Sequence, residues 1–231
     1  MGAMTASIAH EINQPLAAIM TNADAGLRWL TRPDPNLAEA QAAFEQIKKG
    51  CHRTNEVIAS VRAMFGKESS KSTVVDLREI VDEVLALTQG ELATRKIALC
   101  NNIHDELPAV MAESVQLQQV VLNLIMNAIE AMSAVIGRER RLTIGSSLDQ
   151  ASVTITVEDT GSGIDPVHLN RIFNPFFTTK ANGMGLGLSI SQSIVEAYDG
   201  RLQAVPRRPF GTAFYLALPT AGGGPQAVSK L

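Results

Sequence analysis

The chain has 231 residues, 45% of them hydrophobic and 19% charged, so it can form packed cores and is long enough for two domains. A net charge of −3 and the lack of a basic run argue against nucleic acid as a partner. No apolar run of about 18 residues and no signal peptide occur, so we expect a soluble, cytoplasmic piece without membrane contact, whose longer parent could be membrane-anchored.

The first 65 residues predict two long helices. Apolar residues recur at spacings of three and four through residues 9–30 and again through 37–65, where Phe44 and Cys51 lie on the apolar seam. Residues 31–36 contain two prolines and two capping residues, which predicts a turn between the helices. One hairpin cannot bury its seam alone, whereas two hairpins form a four-helix bundle. We therefore predict that residues 1–66 form a homodimeric helical domain.

The rest of the chain mixes helical and strand patterns. A polar stretch at residues 67–73 predicts a linker. Residues 74–220 predict a two-layer α/β sandwich, with helices on one face of a mixed sheet. The helices are predicted at 77–92, 115–134 and 189–198, and the strands at 142–147, 153–158 and 212–218. Residues 221–231 contain three consecutive glycines and predict a flexible tail.

His10 is the first candidate for chemistry. It neighbours Glu11 and points away from the apolar seam of its helix. A neutral imidazole nitrogen can attack phosphorus, and an adjacent carboxylate can accept the proton. Taken alone, a His-Glu pair is more often part of a solvated helix surface, so the assignment depends on the second domain.

Two glycine-rich segments in the second domain suit a nucleotide. Asp159 follows a predicted strand and opens the segment DTGSGI, where a carboxylate can accept from an exocyclic amine. Residues 183–188, GMGLGL, precede a predicted helix, whose first backbone amides can cradle phosphates. Each segment also suits an ordinary turn. The absence of a Gly-x-x-x-x-Gly-Lys-Ser/Thr motif excludes a P-loop site.

Asn123 and Asn127 lie one turn apart on an otherwise apolar helix. Buried amides need partners, and an amide oxygen is a suitable ligand for Mg²⁺. Hydrogen bonding to a neighbouring backbone would satisfy them equally well.

Together these segments resemble the sensor histidine kinases of bacterial two-component systems. Residues 10–16, HEINQPL, resemble the phosphoacceptor box, and residues 123–128, NLIMNA, resemble the N box. Residues 159–164 and 183–188 resemble the two glycine boxes, and residues 173–180, FNPFFTTK, resemble the F box. All occur in the family's order.

The resemblance implies a dimerisation and phosphotransfer domain followed by an ATP-binding domain of the type shared with Hsp90, DNA gyrase and MutL. It implies ATP and Mg²⁺ as cofactors and a response-regulator receiver domain as the partner that takes the phosphoryl group.

The resemblance also implies roles for individual residues. His10 accepts the phosphoryl group and Glu11 assists as base. Asn127 holds Mg²⁺ with support from Asn123, and Asp159 reads the adenine amine. The other ATP-binding positions are Gly161, Gly163, Ile164, Thr178, Thr179, Lys180, Gly183, Gly185, Leu186, Gly187, Leu188 and Thr212.

The chain departs from the family pattern at Gln14, where many members carry the Thr or Asn that orients water in the reverse, phosphatase reaction. Only nine residues precede His10, so we expect the sensory domain to lie upstream of this sequence. Two alternatives stay open. An ATPase of the same fold would need a glutamate where Asn123 stands, to activate water. A non-catalytic scaffold would not need His10, Asn127, Asp159 and the two glycine boxes, all of which are present.

Overall fold

The chain folds into two compact units, residues 1–66 and residues 67–231. The computed structural model describes residues 2–65, 72–149, 151–180 and 185–222. Among the helices of these ranges, none combines the length and apolar character that a membrane span needs.

The first unit is a helical hairpin. Helix α1 spans Gly2–Leu30 and helix α2 spans Leu37–Phe65. The side-chain oxygen of Asn36 accepts a hydrogen bond from the backbone N–H of Glu39 at 3.2 Å, which caps the start of α2. The predicted helix–turn–helix arrangement is therefore confirmed.

Small residues bring the two helices of the hairpin together. A Cβ atom on Gly26 would lie 3.5 Å from the Cβ of Ala43, and one on Gly50 would lie 2.6 Å from the side chain of Ile19. Ala40 and Ala43 are buried at this contact. The helices therefore approach through glycine and alanine.

Several large apolar side chains of the predicted seam are exposed within one chain. Phe44 is 53% exposed and Leu27 60% exposed, and Cys51 is exposed as well. Packing of the predicted seam residue Cys51 in the homodimer stays a prediction, because within one chain small residues such as Ala40 and Ala43 form the helix contact. The hairpin keeps an uncovered apolar stripe.

The second unit consists of seven strands and three α-helices within the described residues. Their bounds, in chain order, are β1 Thr73–Val75, α3 Leu77–Thr94, β2 Ala98–Asn102, β3 Val110–Ala112, α4 Ser114–Ser133, β4 Arg141–Leu148, β5 Ser152–Asp159, α5 Gly187–Ala197, β6 Arg201–Pro206 and β7 Thr212–Pro219. The three predicted helices and three predicted strands are all present. Strands β1, β2, β3 and β6 were not predicted, and Thr73, assigned above to the linker, opens β1.

Five strands form one mixed sheet in the order β2-β4-β5-β7-β6. Strand β2 is parallel to β4, and the other pairs are antiparallel. Strands β1 and β3 form a separate antiparallel pair. Helix α4 packs against β4 and β5, and α5 packs against β6. The predicted sandwich of a mixed sheet and a helical layer is confirmed.

The side-chain period of two places one acidic residue in the core of the sandwich. Along β5, Val153, Ile155 and Val157 are buried under the helical layer. Asp159 is the next residue on that face and is 2% exposed. The strand thus ends by directing a carboxylate into an apolar interior.

Candidate functional site

The Asp159 carboxyl is an ionisable group buried in the core of the second unit. Its Oδ1 accepts a hydrogen bond from the backbone N–H of Gly161 at 2.6 Å, and the backbone N–H of Thr212 is a second donor. Burial raises the pKa of Asp159 from 3.8 to about 6, although these two donors and the charges of Arg207 and Arg138 lower it. Near pH 7 the group is mainly an anion, and a carboxylate offers about four acceptor positions. It can therefore accept a further hydrogen bond from a ligand.

Close backbone packing shapes the surroundings of this carboxyl group. A Cβ on Gly161 would lie 2.7 Å from the backbone of Ala131 in α4. Gly163 has a φ of +77°, and a Cβ there would lie 3.2 Å from the carbonyl oxygen of Gly211. Gly161 allows the turn to pack against α4, and Gly163 allows it to pack against Gly211. The next residue, Thr212, is buried at the start of β7. Space for a flat ligand is one use of these glycines, and internal packing is another.

Helix α4 carries Asn123, Asn127 and Glu130 on one face, next to its buried apolar stripe. Asn123 donates from Nδ2 to the hydroxyl of Ser191 at 3.0 Å, and its Oδ1 accepts from Asn127 at 3.4 Å. A side chain on Gly187, the first residue of α5, would collide with the Asn123 amide. Asn123 therefore connects α4 to the start of α5. Because it binds the Nδ2 of Asn127, the Oδ1 of Asn127 makes a separate contact.

The Oδ1 of Asn127 already faces a cation. The ammonium group of Lys180 donates to it at 2.7 Å and also forms an ion pair with Glu130. Glu130 stands three residues after Asn127, on the same face of α4. Glu130 lies outside the motifs described above, although its helical spacing from Asn127 was a usable signal.

This arrangement fits Mg²⁺, which prefers oxygen ligands and usually shares them with substrate phosphates. Within the described ranges, no cluster of three or more His, Cys, Asp or Glu side chains could hold a metal alone. A metal at Asn127 would therefore need oxygens from a bound phosphate.

The predicted phosphate-binding segment lies between the F box and α5. Thr178 accepts a hydrogen bond from the backbone N–H of Lys180 at 3.0 Å, and Gly185 has a φ of +67°. The first backbone amides of α5 are a favourable place for anionic oxygens. The other predicted members here are Thr179, which is exposed, Leu186, which is buried, and Gly187 and Leu188, which open α5. Ile164 is half-buried in the turn after Gly163, and Gly183 lies outside the described residues.

The predicted phosphoacceptor group belongs to the first unit. His10, Glu11 and Gln14 lie within helix α1. Their side chains are outside the part that the structure describes, so their roles stay predictions.

Comparison with known proteins assigns a family to each unit. Residues 1–69 match the family model of the His Kinase A (phospho-acceptor) domain. Residues 112–222 match that of the histidine kinase-, DNA gyrase B-, and HSP90-like ATPases.

Individual relatives agree with these matches. The chain is 38% identical over 224 residues to the sensor histidine kinase TmoS of Ectopseudomonas mendocina. This alignment covers 96% of this chain and 23% of TmoS. The solved catalytic domain of histidine kinase ThkA is 31% identical with a TM-score of 0.59, over 65% of this chain and 99% of that one. A crystal structure of ThkA in complex with the response regulator protein TrrA is 27% identical with a TM-score of 0.68, over 95% of this chain and 62% of that one. The chain spans less than half the length of the curated relatives that it matches.

Proposed function

The chain belongs to the sensor histidine kinases of bacterial two-component systems, and from this membership we propose that it transfers the γ-phosphoryl group of ATP to its own His10. The main support for the proposal is that two groups suited to the two ends of ATP, Asp159 and Asn127, both lie at helix α4. Helix α4 packs against the turn after Asp159, and the same helix carries Asn127 with its cation partner Lys180.

We assign the base of ATP to Asp159. The ionised carboxylate accepts from the exocyclic amine of adenine, and the turn at Gly161 and Gly163 lines the base, with Thr212 closing the pocket. The phosphates lie toward Lys180 and the first amides of α5. Support comes from the burial of Asp159 and from the cation that already faces Asn127. We place the ATP-binding domain at residues 74–220, after a linker at 67–73 and before a tail at 221–231.

Asn127 and the phosphate oxygens would hold Mg²⁺, which supplies charge neutralisation to the departing phosphate. Asn123 orients Asn127 through the amide contact described above. Lys180 would exchange its bond to Asn127 for the phosphates when nucleotide and Mg²⁺ bind, because two cations at one amide oxygen would repel each other. Glu130 remains a partner for Lys180 in the absence of nucleotide.

In the proposed reaction, a neutral imidazole nitrogen of His10 attacks the γ-phosphorus. The bond from phosphorus to the bridging β–γ oxygen breaks, ADP leaves with that oxygen, and Glu11 accepts the imidazole proton. The product is a phosphohistidine in residues 1–66, which we assign as the dimerisation and phosphotransfer domain.

The same fold can hydrolyse ATP when a carboxylate activates water. Here that position is Asn123, whose amide has no basic group and is hydrogen-bonded to Ser191 and Asn127. The lack of a basic group at this position favours phosphoryl transfer to the protein over hydrolysis of ATP by water.

Incubation of the 231-residue chain with γ-labelled ATP and Mg²⁺ tests the proposal. A kinase places acid-labile, base-stable label on the protein, an ATPase releases free phosphate, and a scaffold does neither. Either of the last two outcomes would overturn the proposed function.

We further propose that a response-regulator receiver domain takes the phosphoryl group from His10 onto an aspartate. The crystallised complex of the relative ThkA with a response regulator supports this partner. Gln14 stands where a water-orienting residue is expected in the reverse reaction, so we expect label to leave His10 faster with a receiver than by hydrolysis. A survey of purified receivers that left the label in place would contradict the assignment.

The exposed stripe of the hairpin supports a homodimer through residues 1–66. We expect Phe44→Asp to convert the dimer into monomers, because a charge cannot be buried in an apolar bundle without a large cost. The side chain is 53% exposed within one chain, so the hairpin itself tolerates the change. Light scattering measures the mass, and Gln41→Asp, an exposed position of the same helix, is the control. A dimeric Phe44→Asp variant would place the contact elsewhere.

A further inference from the structure

Arg138 connects two separate segments beside Asp159. It lies in the loop between α4 and β4, and its guanidinium Nη2 donates to the carbonyl oxygen of Gly161 at 2.7 Å. The same guanidinium lies over the ring of Phe210, with Cζ 3.7 Å from the ring centre. Phe210 belongs to the loop between β6 and β7, 49 positions after Gly161 along the chain.

Both segments contact the Asp159 carboxyl group or its backbone. The N–H of Gly161 donates to the Asp159 Oδ1 at 2.6 Å. Gly211, next to Phe210, packs so closely on the Asp159 carbonyl that a side chain there would collide with it. Its other neighbour, Thr212, supplies the second N–H to the carboxylate. Arg138 thus touches one residue on each side of the group that is proposed to read adenine.

An arginine is suited to these two contacts at once. Its planar guanidinium can donate in the plane and stack through its face. A lysine ammonium offers the charge but neither the flat face nor the fixed donor direction.

We propose that Arg138 is a positioning residue of the nucleotide site, which holds the Gly161 turn and the Phe210 loop at a fixed separation so that Asp159 meets the adenine amine. The inference rests on the proposed function, because it assumes that adenine binds at Asp159. It does not make Arg138 a catalytic residue, since no reacting atom needs to touch it.

The pH dependence of nucleotide binding provides a readout that a merely structural role would not change. Burial raises the pKa of Asp159 to about 6, and its ionised form accepts from an amine more strongly than the protonated acid does, so binding weakens as pH falls through about 6. The charged groups acting on it are Arg207 and Arg138, which both lower this pKa, and Arg207 is itself paired with Glu158 at 2.7 Å. Removal of the Arg138 charge raises the pKa and moves the midpoint of binding to higher pH.

The test uses the full chain with Mg²⁺ and a fluorescent ATP analogue labelled on the ribose, which leaves the adenine intact. Dissociation constants are measured from pH 5 to pH 8 for wild type, Arg138→Gln, Arg138→Lys and Phe210→Leu. Arg141→Gln is the matched control, because Arg141 is half-exposed and pairs only with Glu139 among the described ion pairs. Phosphate protonation is common to all variants, so the difference from wild type is the quantity that is read.

We expect Arg138→Gln to weaken binding at pH 7.5 about 10-fold, as for the loss of one charge-assisted hydrogen bond, and to move the midpoint upward. Arg138→Lys should lose affinity without moving the midpoint, because it retains the charge. Phe210→Leu should behave like Arg138→Lys, and Arg141→Gln should match wild type.

Two outcomes would overturn the inference. Arg138→Gln could bind the analogue as wild type and Arg141→Gln do, or it could lose affinity without any change in midpoint. Thermal unfolding without nucleotide separates a folding defect, and Arg138→Lys serves as the second variant if Arg138→Gln does not fold. Failure of the proposed function gives a different result, since wild type itself would then not bind the analogue.

Discussion

Replacement of His10 by glutamine is expected to abolish the transfer of label from γ-labelled ATP to the protein. Glutamine has a similar size and polarity, but its amide nitrogen has no lone pair available to attack phosphorus. The parent should carry a phosphoramidate that is labile in acid and stable in base, unlike a phosphoserine. Quenching matched samples in acid and in base and counting the protein-bound label provides the measurement.

A companion variant at Glu11 makes this result specific. Glu11→Gln should slow labelling by about 10²–10⁴-fold, the usual range for a lost general base. Both variants should bind the ATP analogue as the parent does, because the assigned nucleotide contacts lie in the other unit. Label retained at the parental level in His10→Gln would show that another residue is the nucleophile.

Conversion of Asp159 to asparagine should remove the preference for ATP over GTP. The carboxylate accepts from the N–H groups of Gly161 and Thr212, and adenine would add a third donor. An amide has one oxygen, and its NH₂ group would face a donor. The buried mismatch costs about 1–3 kcal/mol, which corresponds to about 5- to 150-fold in affinity.

Asn127→Asp is the matched comparison for this experiment. It alters the group facing Lys180 and the metal, so we expect it to change the Mg²⁺ dependence and to keep the preference for adenine. Titration of ATP and GTP into both variants, at several Mg²⁺ concentrations, separates the two effects. An unchanged preference in Asp159→Asn would place the base elsewhere.

Most of the fold was predictable because its long elements carry strong periodic signals. The buried stripe of α4 and the alternation along β5 each contain enough apolar residues to define one face. The missed strands β1, β2, β3 and β6 are short or mainly exposed, so their sequences show too few alternating apolar residues to predict a strand. Their pairing depends on partners far away along the chain.

The hairpin shows what periodicity leaves open. A seam with spacings of three and four predicts which residues share a face, but it does not say which partner covers them. Within one chain the contact goes to Gly26, Ala43 and Gly50, because small residues allow close approach of the helices. The large residues, such as Phe44, stay exposed.

The family motifs, their order and the candidate residues Asp159, Asn127 and Lys180 could be recognised from the sequence, because each motif is a short, local pattern. Which of these residues contact each other depends on how the chain packs. The tertiary structure placed Lys180 on Asn127 and Glu130 across about 50 residues of chain, and it put Arg138 between Gly161 and Phe210. Such contacts arise when the sheet and the α4 layer pack, and no spacing within a single segment encodes them. The pKa of Asp159 has the same origin, since burial by distant residues, not the Asp-x-Gly-x-Gly pattern, raises it.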